Sequence, residues 1–490
     1  MGKAATVRRK APVRRSAVGS RPAKDKAVPT GKPAFKAIRS FRAATDYLNT
    51  LVNFERRPIN ARRQPPFKLD RIQRILAELG HPEQKFRSVH IAGTKGKGST
   101  VAMLAGMLQG SGHKVGVYTS PHVLDVRERI ALGDTLISEH DFAKAVGKVA
   151  DAVHKGNHDA PTYFEALTAA AFVYFADQKV DIAVIEAGMG GRLDSTNVVK
   201  PEVCGITSIS FDHMAQLGNT LSAIAEEKAG IFKSGVPVIS AQQPKEVKRT
   251  LKKAAETVGV PLLFSGDDIE YTYRFESSRI AGPQARICIS TPTSHYEHLA
   301  VPMLGEHQAI NCGVAMGILD QLKAKGMRID EEGAIAGLAN VKLPGRMEQI
   351  CTEPRVLVDG AHNAASIDAL MRAIGQNVGY DSMVVIFGCC ADKDIPGMLK
   401  HILLGADKVI FTPISSPRAA DPADLAAAFA EITGGKTAQI APDLGAAMEI
   451  AGKAVNQEDL ICITGSFYLV GDAKRFFATH PHRIASIQNP

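Results

Sequence analysis

The chain has no cysteine pair in C-x-x-C spacing. Its seven cysteines are scattered, with Cys389 and Cys390 adjacent, which argues against a disulfide frame or structural zinc and for a reducing compartment. No uninterrupted apolar stretch approaches the roughly 20 residues of a membrane-spanning helix, so no membrane partner is expected. The N-terminus lacks the apolar core segment of a secretory signal. Acids are nearly absent from residues 1–45, where Asp25 stands against 13 Lys and Arg, a balance of +12. The net charge of +9 therefore leaves the remainder at −3, and the basic character belongs to a tail. The body also lacks the aromatic and basic array that binds single-stranded nucleic acid.

What is present is an ordinary soluble composition, 45% apolar and 22% charged, in a chain too long at 490 residues for one hydrophobic core. The tail is rich in Ala, Pro, Lys and Arg without apolar periodicity and reads as disordered. An organelle transit peptide, a polyanion-docking arm and a dispensable solvated extension all remain open for it. The location expected is the cytoplasm, or an organelle if the tail is a transit peptide. Nucleic acid is expected to bind only through the tail, if at all, and the protein is expected to be a monomer.

After the tail, strands and helices alternate. "SVHIAG" reads as a strand and "STVAMLAGMLQGSG" as a helix, joined by a glycine loop. "KVGVYTS", "VDIAVIEAG", "EVCGITSIS" and "PVIS" continue the strands; "FEALTAAAFVYFADQ" and "SAIAEEKAGIF" continue the helices. Continuous apolar strands alternating with helices predict a parallel sheet covered on both faces. A less regular part with short strands is expected from about Leu262 to Pro302. "VKLPGRME" reads as a linker, after which the alternation restarts with "RVLVDG", "MVVIFG", "KVIFTPI" and "LICITGS". The organisation expected is therefore α/β: a basic tail over 1–45, a larger domain over 46–343, and a smaller Rossmann-like α/β domain over 344–490.

The glycine loop "HIAGTKGKGST", residues 90–100, carries the first chemistry. Main-chain N–H groups of Thr94 to Gly98 turn inward only where side chains do not intrude, and the following helix points its positive end at a bound phosphate. Lys97 is placed to meet phosphate oxygens and Ser99 to ligate Mg²⁺. The match to G-x-x-x-x-G-K-[ST] is imperfect: Ile91 stands five before Gly96, and Gly98 follows Lys97. Glu186 ends a buried strand, where a carboxylate needs a cation and where parallel sheets bind ligands. Ser120 in "YTSP", with Asp212 and His213 in "FDHM", falls at neighbouring strand ends, making a constellation of donors beside the phosphate loop.

Fourteen motifs in order, from "YLNTLVNFERR" and "FKLDRI" through "AGTKGKGST", "YTSPH" with "RERI", "TYFEALT", "IEAGMGGRLDSTNV", "SFDHMAQLG", "IAEEKAGIF", "GEHQAIN", "PGRME", "VDGAHN", "GCCADKD" and "SSPRA" to "TGSFYLVG", span about Tyr47 to Gly471. The chain thereby resembles the folylpolyglutamate synthase/dihydrofolate synthase family of the Mur ligase superfamily. The resemblance implies a P-loop Mur-ligase-like central domain and ATP-dependent addition of L-glutamate to a folate-type carboxylate, dihydropteroate or tetrahydrofolyl-polyglutamate, through an acyl phosphate. It implies nucleotide contacts at Thr94, Gly96, Lys97, Gly98, Ser99, Thr100, Asn311, Arg346 and Asp359. Two Mg²⁺ sites are implied at Ser99, Ser120, Glu186 and His213, with Lys228 the lysine that the family carbamylates. Thr162, Phe164 and Glu165, with Leu193, Asp194 and Ser195, match pterin-contacting segments. His362 lies beside the nucleotide and is the candidate general base; Lys97 and Lys228 complete the catalytic set. Two positions depart from the pattern: Lys95 stands where the family usually has Asn, and Ala364 where Pro often follows "DGAHN".

Two other readings compete. A Mur-type ligase of cell-wall precursors would carry a nucleotide-sugar domain before the phosphate loop, and only about 45 ordered residues precede Gly93. A P-loop ATPase anchored by its basic tail would need a basic body, and this body is near neutral.

Overall fold

The computed structural model describes residues 37–55, 68–156, 158–278, 282–291, 294–301 and 305–479. The disorder expected of the tail falls on residues 1–36, outside that set. The folded body begins earlier than residue 46. Ser40 caps the helix Phe41–Thr50 by accepting from the Ala43 N–H, and Ala44 and Leu48 are buried.

The larger domain is built on eight strands: β1 (Arg87–Ala92), β2 (Val115–Tyr118), β3 (Ile130–Leu132), β4 (Thr135–Leu136), β5 (Ile182–Glu186), β6 (Val203–Ile206), β7 (Val238–Ser240) and β8 (Leu262–Phe264). Their order is β4-β3-β2-β5-β1-β6-β7-β8. β2 through β8 pair in parallel, while β3 and β4 form an antiparallel edge. Alternate residues of a strand face opposite layers. Val184 of β5 packs in the core with the helices Lys97–Gly110 and Glu306–Ala324, and Ala183 and Ile185 pack in the core with the helix Tyr163–Gln178. Each fully buried aliphatic side chain contributes roughly 1.5–3 kcal/mol, so a strand buried on both faces holds its register firmly. From β1 the chain runs first to one side, through β2 and β5, and then to the other, through β6 to β8. The carboxyl ends of β5, β1 and β6 therefore border the crevice where such sheets bind ligands.

The stretch expected to be less regular, with short strands, holds an antiparallel sheet of three longer ones, β9 (Glu270–Ser278), β10 (Gly282–Ser290) and β11 (His295–Val301). The helix Lys97–Gly110 lies against Glu331–Ala339 with backbones touching. A Cβ on Gly110 would run into the Gly333 carbonyl, and one on Gly106 would come within 3.0 Å of the Gly337 carbonyl. Chain from Asn340 to Met347, without helix or strand, then leads into the second sheet.

The smaller domain has strands β12 (Glu348–Thr352), β13 (Arg355–Asp359), β14 (Met383–Phe387), β15 (Lys408–Phe411), β16 (Gln439–Ile440) and β17 (Leu460–Thr464), ordered β12-β13-β17-β14-β15-β16. All pairs are parallel except β12–β13. Val123 of the larger domain packs into its core, so the loop after β2 joins the two domains.

Candidate active site

The loop after β1 has the shape its glycines dictate. Gly96 lies in the left-handed region at φ +83° and caps the helix Lys97–Gly110. A Cβ there would overlap the carboxamide of Asn311, which is buried and also donates to Gln308 Oε1 at 3.1 Å. One expectation is corrected. The Thr94 and Lys95 amides do not face a phosphate space; both donate to the Ser208 carbonyl, at 3.0 and 3.2 Å. The β1–β6 ladder runs on past Ala92, with Thr207 N–H donating to the Ala92 carbonyl and the Thr94 hydroxyl to the Ser210 carbonyl. The amides left for an anion are those at the head of the helix, around Gly96 to Ser99, which have no intrahelical acceptor. Thr100 is fully buried, and among the described residues its hydroxyl has no hydrogen-bond partner.

Glu186 closes β5 directly opposite. Its Oε1 lies 3.8 Å from Lys97 Nζ, its Oε2 accepts the Ser120 N–H at 3.1 Å, and a Cβ on Gly98 would sit 3.6 Å from Oε2. Burial raises its carboxyl pKa, while Lys97, the Ser120 amide and Arg346 act in the opposite direction. The structure therefore gathers Lys97, Gly98, Ser120 and Glu186 at one point.

Lys228 is 3% exposed, and its Nζ donates to the Gly93 carbonyl at 2.8 Å. Burial, with help from Lys97, pulls its pKa down to about 7. An amine that sheds its proton near neutrality can add carbon dioxide, which is the chemistry a carbamate needs.

His213 sits at φ +50° beside Asp212. Asp212 is the convergence point of the smaller domain: Lys393 Nζ lies 3.0 Å from Oδ1, Asn363 Nδ2 donates to Oδ2 at 3.4 Å, and His362 Nε2 is 3.8 Å from Oδ2. Burial opposes its charge, but the surrounding His213, Lys393 and His362 hold its carboxyl well below the usual range. Burial also pulls both imidazoles down to about 4. Both are uncharged at neutral pH, and Lys393 is the cation that counts. His362 Nδ1 donates to the Gly360 carbonyl at 2.8 Å, which assigns the proton to Nδ1 and leaves a lone pair on Nε2.

Arg346 and Asp359 stand at the domain junction. The Arg346 guanidinium lies 4.5 Å over the Phe467 ring, a cation–π contact. Asp359 accepts from the Met347 and Ala361 amides at 2.9 and 2.8 Å, and burial raises its pKa while Arg346 opposes that.

The third group of expected residues forms a separate cluster. Thr162 and Glu165 make a reciprocal cap of the helix Tyr163–Gln178, and Glu165 is also 2.8 Å from Arg71 Nε. Phe164 presses on Gly188, where a Cβ would approach its ring to 2.6 Å. Asp194 is buried and caps the turn Ser195–Val198, Ser195 is half-buried, and Leu193 is 45% exposed.

Sequence reasoning assigned no role to Lys393, Phe467 or Arg129. Arg129 is 1% exposed and grips Glu55 through both terminal nitrogens, at 2.8 and 2.6 Å, while Arg418 Nη1 donates to the Glu55 carbonyl at 2.9 Å. All of these lie inside motifs quoted above, but no local pattern shows that "GCCADKD" or "SSPRA" faces the other domain. Among the described residues no group of three or more His, Cys, Asp or Glu is arranged to hold a metal ion. Any Mg²⁺ here would rely on one carboxylate, hydroxyls, an imidazole and the ligand's own oxygens.

Comparison with known proteins agrees with this geometry. The Mur ligase middle domain matches residues 91–319, and the Mur ligase glutamate ligase domain matches residues 345–467. The dihydrofolate synthase/folylpolyglutamate synthase of Bacillus subtilis is 35% identical over 412 residues, 83% of this chain and 94% of the relative. Mycobacterium tuberculosis folylpolyglutamate synthase complexed with ADP superposes with a TM-score of 0.81 at 30% identity, covering 90% of this chain and 99% of that one. E. coli FolC in complex with DHPP and ADP gives 0.80 at 27% identity, covering 91% and 100%. The chain belongs to the dihydrofolate synthase/folylpolyglutamate synthase family of Mur ligases.

Proposed function

We propose that this chain joins L-glutamate to the carboxylate of a reduced pteridine acid, dihydropteroate, tetrahydrofolate or its polyglutamate, with cleavage of ATP to ADP and phosphate. The observation that carries this reading is the placement of Glu186 at the tip of β5, 3.8 Å from Lys97 and bonded to the Ser120 amide, at the head of a phosphate-binding helix.

A carboxylate resists attack because its leaving group would be oxide. Transfer of the ATP γ-phosphoryl group to a carboxylate oxygen gives an acyl phosphate; the glutamate amine then adds at the carbonyl carbon, and phosphate leaves from the tetrahedral intermediate. The protein's task is positioning and charge neutralisation. The helix-head amides at Gly96–Ser99 and Lys97 hold the phosphates. Asn311 shapes the loop around them, and Arg346, fixed over Phe467, faces the transferring group. Glu186, Ser99, Ser120 and His213 would hold Mg²⁺, with carbamylated Lys228 as a further oxygen donor; bound there, the metal neutralises phosphate charge. His362 Nε2, which carries no proton and stands 3.8 Å from Asp212 Oδ2, is the base for the incoming ammonium group. Phe164 and the loop 188–195 offer the flat surface and the carboxylate suited to a pterin ring.

The test is ADP release by the purified protein with Mg-ATP and L-glutamate, with dihydropteroate and tetrahydrofolate supplied separately. Turnover with the first makes it a dihydrofolate synthase, with the second a polyglutamate synthase, and with both a bifunctional enzyme. Turnover with neither rejects the proposal.

A further inference from the structure

His90 is a histidine in the middle of the central strand β1, with no exposure to solvent. Its neighbours on that strand, Val89 and Ile91, are aliphatic, as a doubly covered parallel strand demands. Burying an imidazole there costs free energy, and the structure shows only half of it recovered. Nε2 lies 2.8 Å from Thr196 Oγ1, while among the described residues Nδ1 has no hydrogen-bond partner. Burial lowers the histidine pKa to about 3, so the ring is neutral.

The hydrogen bonds have a definite direction. Thr196 is fully buried, and its hydroxyl donates to Asp194 Oδ1 at 2.5 Å, since a carboxylate only accepts. The hydroxyl oxygen is then the acceptor for His90, which puts the ring proton on Nε2. Asp194 Oδ1 also takes the Thr196 N–H at 3.0 Å, and Oδ2 takes the Met189 N–H at 2.8 Å. The carboxylate thus closes the loop from Met189 to Thr196, beside Gly188 and the Phe164 ring.

We propose that His90 is a positioning residue for the pteridine substrate: through the Thr196 hydroxyl it fixes the orientation of the Asp194 carboxylate and the shape of the loop 188–196 that receives the ring. This rests on the pteridine site described under Proposed function. Three consecutive buried groups, linked by two donors that each point at the next group, hold the loop from the rigid centre of the sheet.

The experiment compares KM for dihydropteroate or tetrahydrofolate with KM for ATP in four variants. Thr196→Val keeps the shape and removes the hydroxyl; it is expected to raise the pteridine KM about fivefold to tenfold, the worth of one buried hydrogen bond, with the ATP KM unchanged. Thr196→Ser keeps the hydroxyl and is expected to restore the pteridine KM. His90→Leu removes the donor together with the unpaired nitrogen; it is expected to raise the pteridine KM in a protein at least as heat-stable as the parent. Asp194→Asn tests the underlying site. If it leaves the pteridine KM unchanged, the assignment of the substrate loop fails. If it raises that KM while Thr196→Val and His90→Leu do not, the relay alone is wrong. Equal rises for ATP and pteridine in Thr196→Val would also overturn it, because they would mean general loosening.

Discussion

Lys393 of the smaller domain reaches 3.0 Å from Asp212 of the larger one, and both side chains are nearly buried, at 12% and 10% exposure. The pair stands next to His213 and His362, so it brings the two halves of the site together. Removing one partner of a buried ion pair leaves the other uncompensated, at a cost of about 3–5 kcal/mol.

Asp212→Asn and Lys393→Met are therefore each expected to lower kcat/KM by two orders of magnitude or more. The double variant is expected to lose little beyond either single one, because contacting residues couple by about 0.5–3 kcal/mol. Steady-state kinetics on the four proteins measures this. Additive losses would mean that the two residues act separately.

Gly96→Ala places a methyl group on the Asn311 carboxamide in a left-handed backbone conformation. A side chain pays about 1–2 kcal/mol for that conformation alone. The ATP KM is expected to rise at least about tenfold while the circular dichroism spectrum is kept. An unchanged ATP KM in a folded variant would remove the loop's assignment to phosphate.

Burial lowers the Lys228 pKa from 10.5 to about 7. Between those two values the unfolded chain binds more protons than the folded one, so stability rises with pH across that window and the burial penalty is fully present below about 7. Lys228→Met is expected to flatten the rise, as seen in denaturant midpoints taken from pH 7 to 10.5. The same variant is expected to lose activity. Added bicarbonate is expected to stabilise the parent at neutral pH and not the variant.

Every residue assigned to the site lies after position 90. Deleting residues 1–36 is expected to leave kcat and both KM values within about twofold, since none of the assigned residues is removed. Deletion through residue 45 is expected to destabilise the protein, because it takes away the Ser40 cap and the buried Ala44.

Strands of the larger sheet were legible because parallel strands buried on both faces are continuous apolar runs, as in "VDIAVIEAG". The helix Glu139–Lys155 has no such signature: five of its eight buried positions are Ala or Gly, at 143, 145, 147, 150 and 152, and small residues blur a helical period. The antiparallel sheet of β9 to β11 carries polar residues on its open face and reads as broken sequence. At the site, Lys97 and Glu186 could be named from the glycine loop and strand-end logic, and Lys228 and His362 only through the family resemblance. Lys393 and Phe467 could not, because their partners Asp212 and Arg346 lie in distant sequence. The Asp212–Lys393 pair exists only where the two domains dock, and Arg346 meets Phe467 only when the chain before β12 folds against the end of β17. The Thr94 and Lys95 amides were misplaced for a related reason: the β1–β6 ladder that captures them is a tertiary pairing.

The most direct measurement is the ratio of ADP formed to glutamylated pteridine formed, by coupled assay and mass spectrometry on the same reaction. A one-to-one ratio that requires pteridine acid and L-glutamate together, and is abolished in Glu186→Ala, is the predicted result. ADP release without a glutamylated product, or undiminished turnover in Glu186→Ala, would contradict the account.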